Sequence, residues 1–102
     1  MKVYNKLVRD NIPSIIEKDG KKAIVRVLDE KEFIEELNKK LLEEVNEYLE
    51  SGDFEELVDM GEVIHAILEY KKIPVTEYQA RRVSKMNERG AFKNKYFLEK
   101  IL

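Results

Sequence analysis

Cysteine is absent from this 102-residue chain, which excludes disulfide scaffolds, thiolate metal sites and cysteine nucleophiles. No run of about 18 apolar residues occurs, so no transmembrane helix is expected. The opening Met1-Lys2-Val3-Tyr4-Asn5 lacks the apolar core of a signal peptide. There is no excess of base either. Lys plus Arg is 19 against 21 for Asp plus Glu, a formal net charge of −2, which argues against a general nucleic-acid binder or a membrane-surface peptide. Internal repeats, low-complexity tracts and long linkers are missing too. Glutamine is nearly so, amid 39% charged residues, a usage that fits a thermophile. A soluble, cytoplasmic protein is the expectation.

What is present suffices for one domain spanning 1–102. Hydrophobic residues make up 43% of the chain, enough for a core and against global disorder. A core this small is often completed by self-association. Charge is unevenly spread: residues 1–26 carry a net +4, residues 30–56 a net −8 and residues 71–100 a net +6. An acidic middle between basic ends points to internal ion pairing, or to a metal site flanked by anion-binding groups.

The pattern predicts a mainly α fold. Asn11 to Lys18 reads as one or two helical turns, with Pro13 tolerated near the start. Asp19-Gly20 marks a turn, and Lys22–Leu28 (KAIVRVL) is a short strand candidate, β-branched with partial alternation. Asp29 with Glu32 is a capping-box pattern, opening a long helix near residue 30 that runs to about Glu50. Ser51-Gly52 breaks it. Asp53 with Glu56 repeats the pattern and opens a second helix to about Lys72, where Ile73-Pro74 intervenes. A third helix spans about Val75 to Arg89 and ends at Gly90. The tail Phe92–Leu102 reads as a short helix or an arm. An antiparallel αα-hairpin thus stands at the centre.

Two acids break the amphipathic pattern of each hairpin helix. At about 100° per residue, Phe33, Ile34, Leu37, Leu41, Val45, Tyr48 and Leu49 form one apolar arc. Glu44 falls inside that arc and Glu47 on its edge. In the second helix Met60, Val63, Ile64, Ile67 and Leu68 define the apolar side, with Glu56 in its middle and Asp59 on its margin. Folding about Ser51-Gly52 sets Glu47 opposite Glu56 and Glu44 opposite Asp59, in layers about 4.5 Å apart. For any one of these acids a solvated face or a cap is the ordinary explanation, and Glu56 is also the third residue of the Asp53 capping pattern. Two inward pairs at mirror distances from one turn favour a site. Four converging carboxylates need a counter-charge, and Mg²⁺, with Mn²⁺ as the alternative, is the hard cation that supplies it.

Glu44-x-x-Glu47 followed by Glu56-x-x-Asp59 resembles the E-x-x-E…E-x-x-D signature of the all-α nucleoside triphosphate pyrophosphohydrolases, the MazG and phosphoribosyl-ATP pyrophosphohydrolase superfamily. YNKLVRDNIP (residues 4–13) and KMNERGAF (residues 85–92) resemble a small MazG-like subgroup, so the similarity covers nearly the whole chain. The resemblance implies a MazG-like helical bundle and a Mg²⁺ site on Glu44, Glu47, Glu56 and Asp59. It also implies cleavage of a nucleotide's α–β phosphoanhydride to a monophosphate and pyrophosphate.

The third helix adds a cationic stripe. Arg82, Lys85 and Arg89 share a face with Tyr78, as a triphosphate site beside an acid–metal centre requires. A solvated basic face pairing with the acidic helix is the competing explanation. Lys6 and Arg9 are further substrate-binding candidates, with Asp10 a ready partner for Arg9. His65 reads as a packed or surface histidine and Tyr48 and Tyr70 as core. Glu47 is the candidate proton acceptor. The expectation is a house-cleaning nucleotide pyrophosphohydrolase, a homodimer or tetramer in which two subunits can share a site. The rival readings are phosphoribosyl-ATP hydrolysis in histidine biosynthesis and a non-catalytic helical interaction module.

Overall fold

A computed structural model describes residues 1–102. Four helices follow in order: α1 (Ile12–Lys18), α2 (Glu30–Ser51), α3 (Phe54–Tyr70) and α4 (Val75–Arg89). Their ends obey local chemistry. Asp29 opens α2 by accepting from the Glu32 backbone N–H at 2.8 Å. Gly52 closes α2 in the left-handed conformation, φ 66°, which glycine adopts without penalty. Asp53 caps α3 through the Glu55 N–H at 3.2 Å. Its own N–H goes to Ser51 Oγ at 3.0 Å. The Glu56 side chain is therefore not spent on closing a capping box.

Two residues, Gly52 and Asp53, separate α2 from α3 and turn the chain back on itself. The two helices pack side by side, the one extensive helix–helix interface in the molecule. Leu37 and Val63 are its buried apolar centre, at 3% and 8% exposure. Phe33 meets Tyr70 edge-on across the far end, with ring centroids 6.2 Å apart. The expected hairpin is thus present, and α4 runs over the expected residues. Helix α3 stops two residues short of the expected Lys72, because Lys72 itself turns left-handed, φ 59°.

The strand expected at Lys22–Leu28 does not form. A strand is stable only against a ladder partner, and no second strand exists; Ile24, Val25 and Val27 stand exposed instead. Residues 91–102 are an arm without helix, so the tail takes the second of the two expected forms. No helix is long and apolar enough to cross a membrane.

Beyond the hairpin the chain is open. The Cα radius of gyration is 18.2 Å, against about 13 Å for a compact domain of this length. Accessible surface is 9607 Å², where a folded monomer of 12.1 kDa exposes about 6,000 Å². Leu42, Leu49, Phe54, Leu57 and Val58 of the hairpin lie exposed. Leu49, assigned by its position to the apolar arc, is 74% exposed because nothing in the chain covers that end of α2.

Candidate metal centre

Helix periodicity aims one acid from α2 and two from α3 into the groove between them. Oxygens of Glu44, Glu56 and Asp59 all lie within 4.8 Å of one another. Glu44 is the deepest at 6% exposure, and its Oε2 has no hydrogen-bond partner. An orphaned carboxylate oxygen in a protein interior is costly. Burial, first of all, pushes the Glu44 carboxyl up to about 7, with the charge and hydrogen bonding of Glu47 and the charge of Asp59 adding to it. Glu56 is also raised, by burial first and then by its hydrogen bond with Glu47. Glu47 is half-buried and stands outside the tight three-acid group, yet it bears on both neighbours. Both shifts have the same two causes in the same order: burial disfavours the charged carboxylate, and neighbouring negative charge adds to it.

The residues present fit a hard divalent ion. Oxygen donors alone line the cluster, which suits Mg²⁺ or Mn²⁺ and offers nothing to a soft metal. The unpartnered Glu44 oxygen is the position a cation would satisfy. His65 is not part of the group; its Nε2 meets Glu69 Oε1 at 2.8 Å on the outer face of α3.

Basic residues approach from the N-terminal side. Arg9 Nη2 donates to Asp59 Oδ1 at 3.1 Å, and Lys6 Nζ to Glu43 Oε1 at 3.1 Å. Arg9 therefore pairs with a cluster acid across fifty residues rather than with adjacent Asp10. Lys40, one helical turn before Glu44, opposes the rise in the Glu44 pKa; with Lys6, Lys39 and Glu43 it lines a shallow groove beside the N-terminal segment. Lys40 is not among the residues expected at the site, and its i,i+4 spacing to Glu44 is the sequence signal that marks it.

Helix α4 does not join this group. Arg82 Nε donates to Gln79 Oε1 at 3.0 Å within its own helix. Lys85 and Arg89 are exposed, and no ion pair links α4 to the acidic hairpin. Tyr48 and Tyr70 are half-buried, consistent with packing roles. No family model matches the chain, and neither a curated protein nor a solved structure does.

Proposed function

We propose that the chain is a Mg²⁺-dependent nucleotide pyrophosphohydrolase with a MazG-like architecture, cleaving an α–β phosphoanhydride to monophosphate and pyrophosphate. One observation carries the reading: a buried Glu44, one oxygen of which has no partner, grouped with Glu56 and Asp59. Glu44, Glu56 and Asp59, with Glu47 at their side, would hold the ion. A divalent ion there supplies the charge neutralisation and water activation that anhydride hydrolysis needs. Glu47 accepts the proton of the attacking water as its oxygen bonds to the α-phosphorus; the α–β bridging P–O bond breaks and pyrophosphate leaves. Lys6 and Lys40 line a shallow groove with Glu36 and Glu43, and Lys40 stands one helical turn from Glu44, where a cation steadies a polyphosphate.

The open fold supports a second part of this proposal. A surface roughly 3,600 Å² beyond that of a compact monomer exceeds the burial a standard stable interface needs. A second copy of the chain covers the exposed hairpin residues and brings its Lys85 and Arg89, with Arg82 behind them, toward these acids. The substrate site is then shared between subunits of a homodimer or tetramer. A non-catalytic assembly module is the alternative that the same exposed apolar surface favours.

The test is a panel of ordinary and damaged nucleoside triphosphates and phosphoribosyl-ATP, incubated with Mg²⁺ and scored for monophosphate and pyrophosphate. Turnover of at least one compound is expected, lost in Glu44→Gln and lowered about 10²- to 10⁴-fold in Glu47→Gln. Orthophosphate as primary product would place the cleaved bond wrongly. Mg²⁺ binding without any hydrolysis would leave the assembly module.

A further inference from the structure

Asp59 stands between two places that call for its charge. Its carboxylate belongs to the three-acid cluster, and its Oδ1 accepts from Arg9 Nη2 at 3.1 Å. Arg9 belongs to a segment, residues 1–11, that has no helix or strand and is exposed along nearly its whole length. Only Leu7 is half-buried. Two ion pairs tie this segment to the hairpin: Arg9 to Asp59, and Lys6 to Glu43. All four side chains are partly open to water, and pairs of that kind hold weakly.

The guanidinium answers only part of the cluster's charge. It neutralises Asp59 from outside the groove while Glu44 Oε2 stays unpartnered within. A planar guanidinium cannot enter a space where three carboxylate oxygens lie within 4.8 Å of one another, whereas a small divalent ion can. Such an ion would draw Asp59 inward, because it offers twice the charge at shorter range.

We propose that Arg9 and a divalent cation compete for Asp59, so that cation entry unties the N-terminal strap and frees the Arg9 guanidinium for an anionic ligand. This rests on the metal reading above and adds an ordering to it. Before the ion arrives Arg9 is a stand-in counter-charge; afterwards it is an unpaired cation at the rim of a polyphosphate site. A guanidinium matches two phosphate oxygens at once. The anion is therefore held well only when the ion is present.

Mn²⁺ titrations by calorimetry on the full chain test the competition without reference to activity. Arg9→Ala is expected to bind Mn²⁺ about two- to five-fold tighter than the wild type, the weight of one exposed ion pair. Lys6→Ala also removes one positive charge but frees no cluster acid, so its Mn²⁺ affinity is expected to stay within the wild-type error. In ¹⁵N relaxation, Mg²⁺ is expected to lower the order parameters of residues 2–10 in the wild type and to leave those of Arg9→Ala unchanged. Equal tightening in both variants would reduce the effect to general charge and overturn the proposal. Weaker binding in Arg9→Ala, or a strap that stays ordered with Mg²⁺, would overturn it as well. A wild type that binds no Mn²⁺ would remove the metal reading itself, and a bound ion indifferent to Arg9 would remove only the competition.

Discussion

The α2–α3 hairpin and the α4–tail region follow opposite rules within one chain. The hairpin holds all three buried residues, Leu37, Glu44 and Val63, its N-terminal caps and the crowded acids. Helix α4 buries nothing, and Phe92, Tyr96, Phe97, Leu98, Ile101 and Leu102 beyond it stand in water. Each region has comparable apolar material, so composition does not separate them. The two-residue connection does: it forces α3 back along α2, whereas α4 leaves the hairpin after Pro74 and finds no surface in its own chain. A short loop lets a helix pair close its interface alone. An element that lacks such a partner leaves its apolar residues exposed.

The largest effect that sharpens this contrast is on stability. Leu37→Ala removes the most buried apolar side chain and is expected to cost about 2–5 kcal/mol in denaturant unfolding. Val83→Ala, on exposed α4, is expected to change the monomer by no more than about 0.5 kcal/mol. If a second copy covers α4, the Val83→Ala cost rises with protein concentration, since association then contributes to stability. A Val83 effect as large as that of Leu37 and independent of concentration would erase the distinction between the two regions.

What was legible in the sequence follows the same division. Caps and breaks are local, so Asp29, Gly52, Asp53, Pro74 and Gly90 marked the helices to within two residues. The convergence of Glu44, Glu56 and Asp59 was legible because one short turn made their distances from it decisive. The strand at 22–28 was misread, since alternation of Ile24, Val25 and Val27 describes a surface without saying whether a ladder partner exists. The Arg9–Asp59 pair was illegible for a related reason: sequence proximity offers only Asp10 beside the substrate-binding candidate Arg9, and spacing carries no information across fifty residues. Leu49 shows the remaining gap. Periodicity gives the face of a helix, and only the neighbouring elements decide whether that face is covered.

A second prediction turns on the hairpin's charge. Glu44 titrates near 7 when folded and at about 4.3 when unfolded, so the folded state binds its proton more tightly. Without divalent ions, stability is therefore full below the unfolded value and falls as pH rises from about 4.5 through 7. The loss is on the order of 3–4 kcal/mol by pH 8. Glu44→Gln is expected to flatten that slope and to raise the metal-free melting temperature at pH 8. Adding Mg²⁺ at pH 8 should restore the wild type and do nothing for the variant. Melting curves at pH 5.5 and 8, with and without Mg²⁺, check this. A wild type more stable at pH 8 than at pH 5.5 without metal would contradict the crowding described here. The α4 region provides the control, because none of its carboxylates faces another.

The smallest expected effect compares two caps inside the hairpin. Asp29 accepts from the Glu32 N–H at 2.8 Å, and the Glu32 side chain is held by Arg26 at 2.9 Å. Asp53 makes a longer 3.2 Å bond to the Glu55 N–H while sitting in the turn itself. Asp29→Ala removes a well-formed cap from the free start of α2 and is expected to cost about 1 kcal/mol. Asp53→Ala removes a longer cap bond, but also an acid that lies toward the crowded carboxylates at the α3 N-terminus. Cap loss is unfavourable there, as is loss of a negative charge near the helix dipole, whereas relief of repulsion from Glu56 is favourable. The net cost is therefore expected to be smaller than for Asp29, about 0.5 kcal/mol in metal-free urea unfolding. Mg²⁺ should narrow the difference, since neutralised acids no longer reward the removal of Asp53 and its cost rises toward that of Asp29. A cost at Asp53 that is the same with and without Mg²⁺ would mean that the turn does not sense the charge of Glu56, three residues away.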